Sequence, residues 1–282
     1  DGTHVTAYTW AELSGPAAGA VQIAHGLAEH GERYDRFARA LNAAGFLVHA
    51  VDHRGHGRTA GGRMGDFGPA GFAGLISDVA QFGTALRTQH GRLPVFLFGH
   101  SMGSFAAQTA MLEHSATWSG VVLSGSTALD QFAAAMASAP ADAPAGLQAF
   151  NAGFVNRTGY EWLSRDAAEV DAYVADPWCG WDVPEMVIPM LFAPASRLAD
   201  PAQLAGIRPD LPVLIASGDA DPLAGKGALP QLLGQRYRQA GVADVTVTLY
   251  PGARHEILNE TNRDAVTSDI VAWLQARAGR AR

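Results

Sequence analysis

Residues 95–103 read VFLFGHSMG, which sets a serine between two glycines directly after an apolar run. Val95, Phe96, Leu97 and Phe98 combine β-branched and aromatic side chains without a polar break, the pattern of a strand buried on both faces of a parallel sheet. Gly99-His100-Ser101-Met102-Gly103 fits G-x-S-x-G. In a nucleophile elbow the serine occupies a strained backbone on a sharp strand-to-helix turn, and side chains at the flanking positions would collide with neighbouring backbone. The residues that follow, SFAAQTAML, predict a helix from about Met102, with its positive dipole end directed at Ser101. As a bare pattern G-x-S-x-G is weak. The strand before it and the helix after it give it chemical content.

A serine hydroxyl is a poor nucleophile at neutral pH until a base accepts its proton and an acid orients the base. When the elbow is followed by the other partners in the order acid then histidine, the acid lies after a late strand and the histidine after the last one. Both places are filled. The strand-like VLIAS at 213–217 leads into Gly218-Asp219-Ala220-Asp221-Pro222, and Val245 to Tyr250 leads into Pro251-Gly252-Ala253-Arg254-His255-Glu256. Asp219 and Asp221 compete for the acid's place. His255 could also be a buried, hydrogen-bonded histidine of the core, but its loop after the final strand suits a base.

These residues need a scaffold. Strand-like runs occur at 4–10, 20–24, 46–51, 95–98, 120–124, 212–217 and 245–250, with helical spacing between them. Tyr34, Phe37, Ala38 and Leu41 share one helical face, as do Leu75, Val79, Phe82 and Leu86; the last helix carries Val266, Ile270, Trp273 and Leu274 behind a possible capping box, Thr261-x-x-Asp264. Alternating strands and helices predict an α/β fold, a mostly parallel central sheet flanked by helices. The alternation breaks once. From Ser126 to Pro209 no clear strand is seen, only helix-like pieces, the proline cluster APADAPAG and the tryptophan-rich DPWCGWDVP. We therefore expect a core of residues 1–125 and 210–282 with a helical cap, residues 126–209, inserted between two strands. Ten acids face three arginines between Ser126 and Gly206, whereas the remainder has seventeen of each sign, so this segment carries the whole net charge of -7. Such acidity marks an exposed lid and disfavours anionic head groups and membranes. Asp1-Gly2 is a hairpin-turn dipeptide with nothing before it, so a preceding edge strand and a trimmed N-terminus are expected.

Several stretches together resemble one family. HGLAEHGERY at 25–34, DHRGHGRT at 52–59, GHSMGS at 99–104, GDADP at 218–222 and YPGARHEILNE at 250–260 are similar to the monoacylglycerol lipase and lysophospholipase-like branch of the α/β-hydrolase superfamily. WLSRDAAEVDAYVADPWCG in the expected cap shares the likeness, which thus covers nearly the whole chain. The resemblance implies an α/β-hydrolase fold and a catalytic triad of Ser101, Asp221 and His255, since the family's acid is the last residue of a G-x-x-D turn. Asp219 then becomes a turn residue. It also implies an oxyanion hole made by the backbone N–H groups of Leu27 and Met102. His25, His53 and His56 are expected to organise turns.

The activity implied is that of a serine carboxylic-ester hydrolase acting on a monoacylglycerol or similar single-chain ester through an acyl-enzyme. Phe150, Phe154, Met186, Ile188 and Leu191, with Phe132, Met136, Met190 and Phe192 beside them, could line an acyl pocket in the cap. Lysophospholipase, short-chain esterase, thioesterase, peptidase and carbon–carbon hydrolase chemistry would use the same triad, and a hydrolase-fold binding protein would be expected to have lost part of it. No cofactor or metal is implied: the chain lacks G-x-x-x-x-G-K-[ST], GxGxxG and H-E-x-x-H patterns, and Lys226 is its one lysine. The negative charge argues against a nucleic-acid partner. No apolar stretch approaches the length of a membrane span and a signal peptide is missing, so a cytoplasmic protein is expected, touching lipid surfaces at most transiently through the cap. The single Cys179 excludes an internal disulfide. The oligomeric state is left open.

Overall fold

The structure, a computed structural model, describes residues 2–138 and 146–279; Asp1 of the expected N-terminal turn and most of the APADAPAG cluster lie outside them. Among the described residues seven strands form one sheet: β1 (Ala7–Trp10), β2 (Gly19–Ala24), β3 (Phe46–Val51), β4 (Val95–His100), β5 (Gly120–Ser124), β6 (Val213–Gly218) and β7 (Val245–Tyr250). Their order is β1-β3-β2-β4-β5-β6-β7, parallel throughout except for antiparallel β1 at one edge. β1 starts later than its apolar pattern implies, because the Thr6 amide donates to Thr59 Oγ1 at 2.8 Å.

Helices cover both faces. β2, β4, β5 and β6 are buried along their whole length, and alternate residues feed two apolar layers. Phe96, Phe98, Val122 and Leu214 meet α1 (Asp35–Ala43) and α10 (Arg263–Ala278) through Phe37, Leu41, Val266, Ile270 and Leu274. Leu97, Val121, Leu123 and Ile215 meet α2 (Gly71–His90), α3 (Met102–His114) and the long helix after β6 through Leu75, Val79, Met111 and Leu233. The capping box does not form. α10 starts at Arg263, and both the amide and the hydroxyl of Thr261 turn to Glu260, a fully buried carboxylate that also gathers the amides of Arg165 and Arg254.

Between β5 and β6 the described residues form no strand. They make α4 (Leu129–Ala137), a 3₁₀ stretch at Gly146–Gly153, α5 (Ala167–Ala175), α6 (Val187–Leu191), α7 (Ala195–Ala199) and α8 (Pro201–Leu204), and α9 (Ala228–Gln239) follows β6. Phe132, Leu147, Trp162, Leu163, Leu191 and Leu204 of this segment belong to the same apolar layer as α2 and α3, so it has no separate core. Its acids are not simply exposed. Asp130 pairs with Arg236, Glu169 with Arg36, Asp166 with Arg263 and Asp176 with His30, each across to the sheet-and-helix body. Part of the charge excess therefore docks the segment, which weakens the inference from net charge to repulsion of anionic ligands.

β2 and β4 are neighbours although β3 lies between them in sequence. The chain thus turns outward in opposite directions on either side of that pair, and the crevice at the carboxyl ends of such strands is where α/β sheets bind ligands. Closure of the crevice depends on Gly103, where a Cβ would overlap the carbonyl oxygens of Ala24 and His25. Gly103→Ala is expected to destabilise by at least about 1–3 kcal/mol; a thermal melt indistinguishable from wild type would refute this account of the turn.

Candidate active site

Ser101 caps α3 with φ 51° and ψ -120°, one of three non-glycine residues at positive φ among the described residues. Its amide donates to the Ser124 carbonyl at 2.9 Å, and its own carbonyl accepts from the Ser104 and Phe105 amides at 2.8 and 3.1 Å. Gly99 is required as well: a Cβ there would lie 2.7 Å from the Gly103 carbonyl oxygen. Strand, bend and helix are thereby locked around one serine.

The loop after β2 lies beside it. A Cβ on Gly26 would be 3.2 Å from the Ser101 Cβ, so glycine lets this backbone approach. Ala28 takes φ 54°, and its carbonyl accepts from the Gly180 amide and the Tyr173 hydroxyl at 3.0 and 2.9 Å. His25 is fixed in one tautomer: Nδ1 donates to the Gly26 carbonyl at 2.8 Å, and Nε2 accepts from the His53 amide at 2.9 Å. His56 Nδ1 donates to the Arg54 carbonyl, and burial holds His25, His53 and His56 below the ordinary histidine range. Leu27 is partly buried and Met102 fully buried, and the amide of neither is taken by another acceptor among the described residues.

The loops after β6 and β7 bring Asp221, not Asp219, to His255. Asp221 Oδ2 is 2.8 Å from His255 Nδ1, and both side chains are 2% exposed or less. The other Asp221 oxygen accepts from the Leu223 amide at 2.8 Å, while Asp219 accepts from the Gly252 amide at 2.6 Å and so serves the turn. Trp162 packs on the far side of the His255 ring, centroids 4.8 Å apart. Burial opposes a charge on His255, but the Asp221 carboxylate, its hydrogen bond, and Glu256 and Glu29 outweigh it and raise the imidazole above its ordinary value. His100, equally buried and facing His255 at 4.8 Å, is pushed down to about 4.

Ser101, His255, Leu27 and Met102 share the wall of one cavity with about 580 Å³ of unfilled space, of which about 40 Å³ can hold the centre of a water molecule. Of the residues expected to line an acyl pocket, Phe132, Phe150, Ile188, Leu191 and Phe192 do so. Met136, Phe154, Met186 and Met190 do not. Phe154 turns away to lie under the Arg254 guanidinium at 4.5 Å, and Met186 is 76% exposed at the start of α6. Sequence reasoning missed Phe105, Leu147, Trp162, Tyr173 and Leu223, which also line it. Trp162 and Tyr173 stood in the cap stretch that carried the family likeness, which was the available signal. A polar corner is formed by Glu29, His100 and Glu256. Burial opposes a charge on Glu29, but the Arg33 guanidinium foremost, helped by the Gly26 amide, holds its carboxyl down to about 2.

One group among the described residues could hold a metal ion: His30, Asp176 and Cys179 offer ligand atoms within 4.8 Å of one another, outside this cavity. No described helix is long and apolar enough to cross a membrane.

The family model described as serine aminopeptidase, S33 matches residues 15–262. The monoacylglycerol lipase of Mycolicibacterium smegmatis is 29% identical, the alignment covering 97% of this chain and 93% of that protein. The human monoglyceride lipase is 30% identical over 100% of this chain and 90% of its own. A thermostable carboxyl esterase from Bacillus coagulans, solved in complex with glycerol, superposes with a TM-score of 0.84 at 27% identity, covering 97% of this chain and 94% of that one. With an elbow serine, a buried Asp–His pair and full-length likeness of this kind, the chain belongs to the serine aminopeptidase, S33 family of α/β-hydrolases and is a serine ester hydrolase of the monoacylglycerol lipase type.

Proposed function

We propose that the chain cleaves single-chain acyl esters, monoacylglycerols foremost, with Ser101 as nucleophile, His255 as general base and acid, and Asp221 as the group that orients His255. The observation that carries this reading is the buried 2.8 Å contact between Asp221 and His255, opening on the same cavity as the strained Ser101. Ser101 Oγ attacks the ester carbonyl as His255 Nε2 takes its proton, and the imidazolium then returns that proton to the departing alcohol. Water, activated by the same nitrogen, attacks the acyl-serine and releases the acid. The amides of Leu27 and Met102 receive the oxyanion, each contributing roughly 3 kcal/mol to the transition state. Both amides are unengaged, and Met102 adds the positive end of α3.

Substrate class follows from the cavity's two characters. Phe132, Phe150, Leu191 and Phe192 give an apolar wall for an acyl chain, and Glu29, His100 and Glu256 give a polar corner for a glycerol moiety. The Bacillus coagulans esterase that superposes on this chain was solved in complex with glycerol. Residues 126–209 act as the cap. This segment supplies the apolar wall of the cavity, and its exposed Val155, Val174 and Met186 would face a lipid surface. The buried free thiol of Cys179 fits a reducing, cytoplasmic setting.

Ser101→Ala is expected to lower the hydrolysis of p-nitrophenyl esters by on the order of 10⁴–10⁶ with the fold retained; survival of most of the rate would rule Ser101 out as nucleophile. Across p-nitrophenyl esters of graded acyl length kcat/KM should pass through a maximum, and a flat profile would contradict the acyl pocket. His255 must be neutral to act as base and its value lies above the ordinary one, so kcat/KM should fall on the acid side with a midpoint above about 6.5. A midpoint well below that contradicts the assignment.

A further inference from the structure

The residue after His255 is an unusual neighbour for a base. Glu256 is buried, lines the cavity, and gives both carboxylate oxygens to Arg33 at 2.6 and 2.8 Å. One of them also accepts from Asn259 Nδ2 at 2.8 Å. The Arg33 guanidinium reaches on to Glu29 at 2.7 Å, so one buried cation serves two buried anions. Glu29 is tied in turn to the Tyr34 hydroxyl and the Gly26 amide, in the loop that carries Leu27.

A bidentate Arg–carboxylate fork fixes distance and angle together, which a single ionic contact does not. The peptide of Glu256 is held as well, its amide donating to the Leu163 carbonyl at 2.8 Å, while that of His255 donates to the Trp162 carbonyl at 3.3 Å. The histidine loop is thus gripped by the cap segment through its backbone and by the turn before α1 through the Glu256 side chain.

Resting on the reading of His255 as the base, we propose that Glu256 is a positioning residue: through its fork with Arg33 it sets the His255 ring against Ser101 and keeps a negative charge beside the imidazolium that forms during acyl transfer. The charged and titratable groups facing His255 are Asp221 from the loop after β6, Glu29 from the loop after β2, His100 at the end of β4, and Glu256 and Arg33 themselves. His100 is neutral, so three carboxylates are opposed by one guanidinium, and a protonated His255 finds an excess of negative charge. Removing one carboxylate lowers the His255 value and moves the acid limb of the pH profile down.

Three proteins decide the matter, assayed on p-nitrophenyl butyrate from about pH 5 to 9 with a melting curve for each. Glu256→Gln keeps the side-chain shape and removes the charge; kcat is expected to fall about tenfold or more, with KM near wild type and the acid limb displaced to lower pH. Glu256→Asp restores the charge but shortens the reach, so the limb should return while kcat stays low. A folded Glu256→Gln enzyme with wild-type kcat and limb overturns the proposal, and so does a loss of kcat without movement of the limb, which is what a purely structural role gives. If Glu256→Gln does not fold, Arg33→Lys decides: it keeps the cation and breaks the fork, so kcat should fall with the limb in place, and full kcat overturns the proposal. A wild-type chain inert toward the ester would instead sink the reading of the site as an ester hydrolase.

Discussion

Ser101 is held in a backbone conformation that costs a non-glycine residue of order 1–3 kcal/mol, and the arrangement of the crevice follows from how that cost is met. The bend survives because hydrogen bonds clamp it from both sides and because Gly99 and Gly103 leave room for it. The absent side chain of Gly103 has a second effect. It allows the first turn of α3 to touch the backbone at Ala24 and His25. One steric requirement therefore shapes the turn of Ser101 and helps to set Leu27 and Met102, whose sequence positions are far apart, on the wall of one cavity.

A second layer of order is electrostatic. Nearly dry carboxylates crowd the crevice, each carried by a different loop, and each is tolerated because a specific donor meets it: His255 and the Leu223 amide for Asp221, Arg33 for Glu29 and Glu256. Burial alone would neutralise Glu29 and Glu256; the Arg33 guanidinium between them holds both below the ordinary glutamate value. His100 shows the contrast. Its ring meets the Ser124 hydroxyl rather than a carboxylate, so burial, and after it the neighbouring His255, drives it toward neutrality, and it stands between Ser124 and His255.

Much of this was legible in the sequence, for reasons that differ by element. The buried strands were plain because a strand covered on both faces must be apolar at every position, as VFLFGH and GVVLS are. The elbow was plain because sterics demand glycine at fixed offsets from the serine. Asp221 was separated from Asp219 by the family likeness and by the proline that follows it, since both sit in one turn and only the folded geometry distinguishes the carboxylate that meets His255 from the one that closes the loop. The cavity wall was the least readable part. It is assembled from α3, α4, the 3₁₀ stretch, α6 and the turns at 162 and 223, with no shared period, so apolar character could not separate Leu191, which lines it, from Met186, which points outward. Thr261 illustrates another limit: a cap motif was overridden by a buried glutamate recruiting the same amide from a neighbouring position.

The segment between β5 and β6 rests on the body of the molecule by two kinds of force that respond oppositely to the medium. The contacts of Asp130 with Arg236, Glu169 with Arg36 and Asp166 with Arg263 are partly solvated ion pairs and weaken as mobile ions screen them. The seam of Phe132, Leu147 and Leu191 is apolar and is strengthened by salts that are excluded from protein surfaces. Dilute buffer thus favours the ion-paired part of this contact and concentrated sulfate the apolar part, so the electrolyte decides which of the two forces does more to hold the segment on the body.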